Sequence, residues 1–504
     1  MELTPSFEDF AKGFESGQNQ VVHARLAADL DTPVSLMLKL TGAARDAFML
    51  ESVTGGETRG RYSIIGMKPD LVWQCHGDTS HINRQARYDS DSFEVQDGDP
   101  LTNLRSLIAE CAIDLPEDLP AASAGLYGYL GYDMIRLVEH LPDVNPDPLG
   151  LPDALMMRPS VVAVLDGVKG EVIVVAPAWA GNGQSARAAY AQAAERVMDA
   201  IRDLDRALPR QARDLGNAAA EDAAPVSNFT HAGYKAAVEK AKEYIRAGDI
   251  FQVVPSQRWT QPFRQPPFTL YRSLRRTNPS PFMFYFNFGG FQVIGASPEI
   301  LVRVMDGQVT IRPIAGTRPR GATPEEDRAH EADLLADQKE LAEHLMLLDL
   351  GRNDAGRVSK IGTVRPNEEF IIERYSHVMH IVSNVVGELA PDQDALSALL
   401  AGLPAGTVSG APKVRAMEII DELEPEKRGV YGGGVGYFSA GGDMDVCIAL
   451  RTAVVKDEKL YIQAGGGVVY DSDPEAEYME TVHKSNAIRR AAADAARFGG
   501  DGNS

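Results

Sequence analysis

Leu460-Tyr-Ile-Gln-Ala-Gly-Gly-Gly-Val-Val-Tyr-Asp-Ser-Asp-Pro-Glu-Ala-Glu-Tyr-Met-Glu480 runs through two structural habits in a single stretch. Its first residues are apolar and strand-forming, which predicts a strand over 460–464. Three glycines follow at 465–467, the usual mark of backbone that bulges or comes close to a ligand. Glu477 and Glu480 then stand three apart, and on a helix that spacing sets both carboxylates on one face. The same spacing recurs in Lys339-Glu-Leu-Ala-Glu-His-Leu-Met-Leu-Leu-Asp349, with Glu340 and Glu343. Two such helices facing each other offer four hard oxygen donors, a set suited to Mg²⁺. Two solvated helix faces give the same spacing, so the carboxylates alone leave both readings open.

Working outward, strand-like runs at 251–254, 282–288 and 302–309 alternate with helical patterns, which predicts a mixed α/β architecture. The longest helix is predicted over 324–348, opening on Pro-Glu-Glu-Asp and closing before Gly351. A helix over 234–247 should stop at Gly248. Upstream, strands are expected at 161–165 and 172–175, and a helix over 185–208. Residues 207–229 are rich in Ala and polar residues with two prolines and no apolar period, which reads as a linker or surface loop. It separates 1–206 from 230–495, with a tail at 496–504.

The chain has 504 residues, 44% of them hydrophobic and 24% charged, enough for a large core. A net charge of −21 argues against nucleic acid or an anionic membrane as partner. A small anionic substrate would then need a local basic or metal-lined pocket. Cys75, Cys111 and Cys447 are odd in number and widely spaced, which disfavours a disulfide framework or a Cys-rich zinc site and suits a reducing compartment. The N-terminus lacks the order of a signal peptide, and the most apolar run, 282–296, is interrupted by Asn287, Gly289 and Gly290. A cytoplasmic protein is expected.

Common motifs are missing. Gly406-Thr-Val-Ser-Gly-Ala-Pro-Lys413 fails the nucleotide-loop pattern, because no Ser or Thr follows the Lys, and Gly432-Gly-Gly-Val-Gly-Tyr437 lacks the dinucleotide fingerprint. Neither HExxH nor Gly-x-Ser-x-Gly occurs. His377 and His380 fit satisfied core histidines, and either is also a candidate acid/base group.

Five longer stretches point further: Ala247-Gly-Asp-Ile-Phe-Gln-Val-Val-Pro-Ser-Gln-Arg258, Gly295-Ala-Ser-Pro-Glu299, Pro313-Ile-Ala-Gly-Thr-Arg-Pro-Arg-Gly321, Glu343-His-Leu-Met-Leu-Leu-Asp-Leu-Gly-Arg-Asn-Asp354 and 464–477. In order and spacing they resemble the chorismate-utilising enzymes. Leu50-Glu-Ser52, Arg61-Tyr-Ser-Ile-Ile-Gly66 and Tyr129-Leu-Gly-Tyr-Asp133 are similar to the anthranilate synthase large components within that family. The resemblance implies an α/β (α+β) fold, a large β-sandwich flanked by helices in which an N-terminal regulatory portion interleaves with a C-terminal catalytic portion. Relatives that use a lysine nucleophile carry it where this chain has Ala315, and those that activate water carry a lysine where it has Gln252. Both departures imply ammonia as nucleophile.

The resemblance also implies roles. Glu343 and Glu480 would hold Mg²⁺, with Glu340 and Glu477 nearby. Glu299 would protonate the departing hydroxyl of chorismate, His380 would serve the later elimination, and Gln252 would sit at the nucleophile's position. Gly316, Thr317, Thr407, Tyr431, Arg451, Gly465, Gly466, Gly467 and Lys484 would form the substrate shell. Glu51, Ser52, Asn278, Pro279, Pro281, Phe282 and Met283 would form a tryptophan feedback pocket. A separate glutamine amidotransferase subunit would deliver ammonia within a hetero-oligomer, a heterotetramer in the family. An aminating relative that stops at the aminodeoxy intermediate, and a catalytically idle tryptophan-sensing subunit, are the alternatives.

Overall fold

Two long strands, Tyr62–His76 and Ala154–Asp166, pair antiparallel from Tyr62↔Asp166 to Cys75↔Ala154 and form the spine of the molecule. Their length lets each serve two neighbours. Ala154–Asp166 pairs with Gly125–Leu130 along its first part and with Glu171–Ala178 along its last, so the sheet forks there. The structure is a computed structural model describing residues 2–52, 60–181, 183–208, 224–375 and 378–498. His377, residues 209–223 of the expected linker and residues 499–504 of the expected tail lie outside the described residues.

Among the described residues, 21 strands form one antiparallel network. One arm of the sheet leaves Tyr62–His76 and runs through Ala47–Glu51, Phe282–Asn287, Gln292–Ser297, Thr452–Lys456, Lys459–Gly465 and Ser256–Pro262. The other runs through Gly125–Leu130, Gly434–Ser439, Met444–Ile448, Ile300–Met305, Gln308–Ile311 and Val378–Glu388. Aromatic side chains join the arms face to face. Phe48 of the first stacks on Tyr127 of the second with ring centroids 4.5 Å apart, beside Phe286 and Tyr437. Each such buried ring contributes roughly 1.5–3 kcal/mol. Gly66 is required here, since a Cβ would lie 2.1 Å from the Phe48 ring. Helices Ala186–Leu204, Pro267–Thr277 and Pro474–Ala495 cover the first arm's outer face, and Pro100–Glu110 and Ala395–Gly402 the second's. The fold is therefore mixed α/β, a large antiparallel sheet folded on itself and flanked by helices.

The chain changes arms twice at one place. Gln292–Ser297 leaves the first arm and, past Pro298 and Glu299, continues as Ile300–Met305 in the second. Met444–Ile448 leaves the second and, past Ala449 to Arg451, re-enters the first as Thr452–Lys456. The crossings are bonded to each other: Ile448 N–H donates to the Glu299 carbonyl at 3.0 Å, and Ala296 N–H to the Arg451 carbonyl at 3.2 Å.

Three local expectations are corrected. The helix expected over 324–348 is two, Pro324–Ala336 and Gln338–Gly356, because Asp337 leaves helical geometry (ψ 103°) and its carboxylate caps Lys339 and Glu340 N–H. The strand expected over 302–309 is a hairpin, turned at Asp306 (φ 50°) and Gly307 (φ 72°). The run at 251–254 keeps only Gln252–Val253 as strand, and Phe251 is 72% exposed. Among the described residues no helix is long and apolar enough to cross a membrane.

Candidate active site

A cavity of about 560 Å³ opens at the twin crossing, lined by side chains from both arms and from the helices Gln338–Gly356 and Pro474–Ala495. It brings together Gln252, Glu299, Gly316, Thr317, Thr407, Tyr431, Arg451, Gly465, Gly467, Lys484 and His380 with Glu340, Glu343, Glu477 and Glu480. Gly466 backs this wall, where a Cβ would come within 2.9 Å of Glu477 Oε2.

Glu299 sits on the first crossing and is buried. Burial raises its carboxyl to about 8, against the opposing pull of a Thr407 hydroxyl at 3.3 Å, the Ile314 N–H and the cations Lys484 and Arg451. It is therefore protonated at neutral pH and able to give a proton away. Arg451 occupies the second crossing with a left-handed backbone (φ 48°), a strained conformation for a non-glycine. It has no ion pair among the described residues, and burial lowers its pKa, so an anion in the cavity would relieve it.

His380 lies across the cavity on Val378–Glu388, paired in register with Thr317. Its Nδ1 is 2.8 Å from the Gly316 carbonyl, an acceptor only, so Nδ1 carries the hydrogen and Nε2 is the basic nitrogen. Burial lowers its pKa and keeps it neutral. Gly316 reaches this position with φ 66°.

The four glutamates face the same space without converging: among the described residues, no three His, Cys, Asp or Glu side chains form a ready-made metal cage. Three of them are engaged by a neighbour. Lys484 Nζ pairs with Glu480 at 2.7 Å, Gln252 Nε2 donates to Glu343 Oε1 at 3.3 Å, and Arg318 lies 3.6 Å from Glu340. The donors nevertheless fit a hard divalent cation. Burial, and then the charges of Glu340 and Glu480, raise Glu343; burial, and then Glu480, raise Glu477; and Glu477 Oε2 is buried without a hydrogen-bond partner. A cation would relieve all of these at once.

Gln252 is buried with its Oε1 unpartnered, and Gly467 leaves room for it, since a Cβ there would lie 2.6 Å from Gln252 Nε2. The amide thus offers a bare acceptor beside the carboxylates. Where the sequence predicts a bulge or a close approach to a ligand, the glycine run lies pressed against the Tyr431, Glu477 and Gln252 side chains.

A family model for chorismate binding enzymes matches residues 46–490. The chain belongs to this family. It is similar to anthranilate synthase component 1 of Cereibacter sphaeroides, 78% identical with 98% of each chain covered, and to that of Pseudomonas putida, 50% identical over 96% of this chain and 98% of the other. The crystal structure of anthranilate synthase component I from Streptococcus pneumoniae superposes with a TM-score of 0.76 at 38% identity, covering 92% of this chain and 99% of that one.

Away from the cavity of this chorismate-binding enzyme, the residues expected to sense tryptophan gather where Ala47–Glu51 pairs with Phe282–Asn287. Glu51 differs from expectation. It is buried and spent: Arg275 grips it at 2.6 and 2.8 Å and the Tyr271 hydroxyl at 2.7 Å, so it offers no open carboxylate to an ammonium group. Met283 is core, fully buried and paired with Glu51. Asn278 Nδ2 is buried without a partner at the end of Pro267–Thr277, with Pro279 and Pro281 leading from it into the strand that opens at Phe282; Ser52 adjoins Glu51.

Sequence reasoning missed Lys339, which lines the cavity and acts electrostatically on both Glu343 and Glu477. Its position four before Glu343 on the same helix was the available signal.

Proposed function

We propose that the chain is the chorismate-converting component of an anthranilate synthase, turning chorismate and ammonia into anthranilate, pyruvate and water in tryptophan biosynthesis. The observation that carries the reading is the pairing, in one cavity, of a carboxyl kept protonated by burial, Glu299, with a neutral histidine, His380. The reaction needs one acid early and one base late.

Arg451 and Lys484 receive the substrate's two carboxylates. Ammonia, oriented by Gln252 Oε1, adds to the ring carbon beside the carboxylate-bearing one while Glu299 protonates the departing hydroxyl, which leaves as water. His380 Nε2 then takes the proton from the aminated carbon, the enolpyruvyl C–O bond breaks, and the enolpyruvate gains a proton to leave as pyruvate. The ring becomes aromatic. Mg²⁺, held by Glu343 and Glu480 with Glu340 and Glu477 close by, would supply charge neutralisation at the ring carboxylate.

Ammonia has to come from elsewhere. All three cysteines are buried, and burial raises Cys75 to about 12 and Cys111 to about 11, so none resembles the thiolate a glutaminase uses. This supports a separate glutaminase subunit, and the proposal places the two in a cytoplasmic hetero-oligomer. Tryptophan feedback is the regulatory half of the proposal, supported by the unpartnered Asn278 amide.

With ammonium and Mg²⁺ the purified chain is expected to release anthranilate and pyruvate in equal amounts, and with glutamine alone almost none. Isochorismate or an aminated, non-aromatic acid as the main product would overturn the reading. Tryptophan titrated into the same assay tests the regulatory half.

A further inference from the structure

Arg428 is 3% exposed and lies behind the cavity wall rather than on it. Its guanidinium is used on every side. Nη1 donates to the Val408 carbonyl at 2.6 Å and Nη2 to the Val254 carbonyl at 2.7 Å. Nε and Nη2 donate to Glu424, which is 4% exposed, at 2.5–3.1 Å. The plane lies over the Tyr132 ring, 4.6 Å from its centroid, and 5.6 Å from that of Tyr431. Glu424 Oε1 also accepts the Ser256 N–H at 2.7 Å and its hydroxyl at 2.8 Å.

Most of these grips end on a cavity group or one or two residues from one. Val408 follows Thr407, whose hydroxyl holds both oxygens of Glu299. Val254 lies two residues after Gln252. Tyr431 lines the cavity, with its hydroxyl at the Gly465 backbone. Ser256 Oγ accepts from Gln463, another lining residue, at 2.8 Å. Three segments far apart in sequence are thus tied to one planar fork, a geometry that an ammonium on a flexible stem cannot reproduce.

We propose that Arg428, oriented by Glu424, is a positioning residue for the reaction: it sets the Thr407, Gln252 and Tyr431 segments in mutual register without touching the substrate. This rests on the functional reading above. A buried ion pair is weak evidence for stability, and replacing both partners by apolar residues of similar volume is often neutral or stabilising, whereas removing one strands a charge. That asymmetry separates positioning from packing.

The test compares the full chain with R428M/E424M and R428K, by thermal melting and by kcat and KM for chorismate with saturating ammonium and Mg²⁺. The double variant removes the buried charge pair together, but the Val408 and Val254 carbonyls and the Ser256 N–H lose their partners, so it is expected to melt lower than the wild type while still folding. Its kcat should still fall at least about thirtyfold, with KM moved less than about threefold because Arg451 and Lys484 are untouched. R428K, which keeps the charge opposite Glu424 but loses the fork, should lose at least about tenfold in kcat with little change in KM. A double variant that regains stability and turnover together overturns the proposal, and so does wild-type kcat in R428K, whether or not the double variant folds. A wild type that makes no anthranilate would sink the functional reading instead.

Discussion

Glu343, half-buried in the second turn of Gln338–Gly356, and Glu51, buried at the end of Ala47–Glu51, are both carboxylates drawn in from solvent, and the molecule treats them oppositely. Glu51 has an arginine fork and a tyrosine hydroxyl on its two oxygens. Glu343 has one long amide contact and two other glutamates for company. Burial disfavours a carboxylate unless hydrogen bonds and countercharges offset it. At Glu51 they do, and the result is a clamp between a strand and the helix Pro267–Thr277. At Glu343 they do not, which is what the proposed function answers with a cation. On that proposal the contrast separates an acid that holds the fold from one that works.

Substitution breaks the comparison most sharply at Glu343. Glu343→Gln is expected to lower turnover about a thousandfold, the worth of several kcal/mol of charge stabilisation. It should leave the melting temperature unchanged or raised. The sign follows from the raised folded pKa: the group's contribution is full below the unfolded value and is lost as pH rises through the folded one, so the ionised form opposes folding and its removal does not. A melting temperature that falls with the activity would make Glu343 a structural residue.

Glu51→Gln should do the reverse. It leaves Arg275 without its countercharge, and since that arginine is partly solvated the loss should be about 1–3 kcal/mol in denaturant unfolding. Turnover should stay within about twofold. A variant as stable as the wild type would show that the fork contributes nothing.

The smallest effect sharpens the reading of Glu299. Thr407→Val removes a hydrogen bond that lowers its pKa, so Glu299 should stay protonated to higher pH. Under the proposed function the acid form is the active one, so the alkaline limb of the kcat profile, expected near 8 in the wild type, should move upward by less than about one unit. A limb that stays in place or moves down would assign it to another group.

Much of the cavity was legible in sequence through the resemblance to the chorismate-utilising enzymes; spacing by itself offered glycines before carboxylates and acids three apart, and left the metal reading open. The longer elements were legible too, from apolar period and caps such as Gly248. What escaped depends on partners distant in the chain. Glu51 reads as an open acid until Arg275 is folded onto it, and Arg428 is one arginine among many until the carbonyls of Val254 and Val408 converge on it. Asp337 escaped for a local reason, since a strong helix-like pattern on either side hid a capping residue that starts a second helix.

The interleaving of strands also bears on how such a chain can be rebuilt. Ala47–Glu51 is laid against Phe282–Asn287, and Gly125–Leu130 against Gly434–Ser439, so a cut anywhere near 207–229 leaves raw edges on both fragments. Neither piece is a cassette. Grafting the first 206 residues of one relative onto the remainder of another would work only where both ladders keep their facing side chains, which ties the inheritance of any regulatory segment to that of the catalytic one it is sewn into.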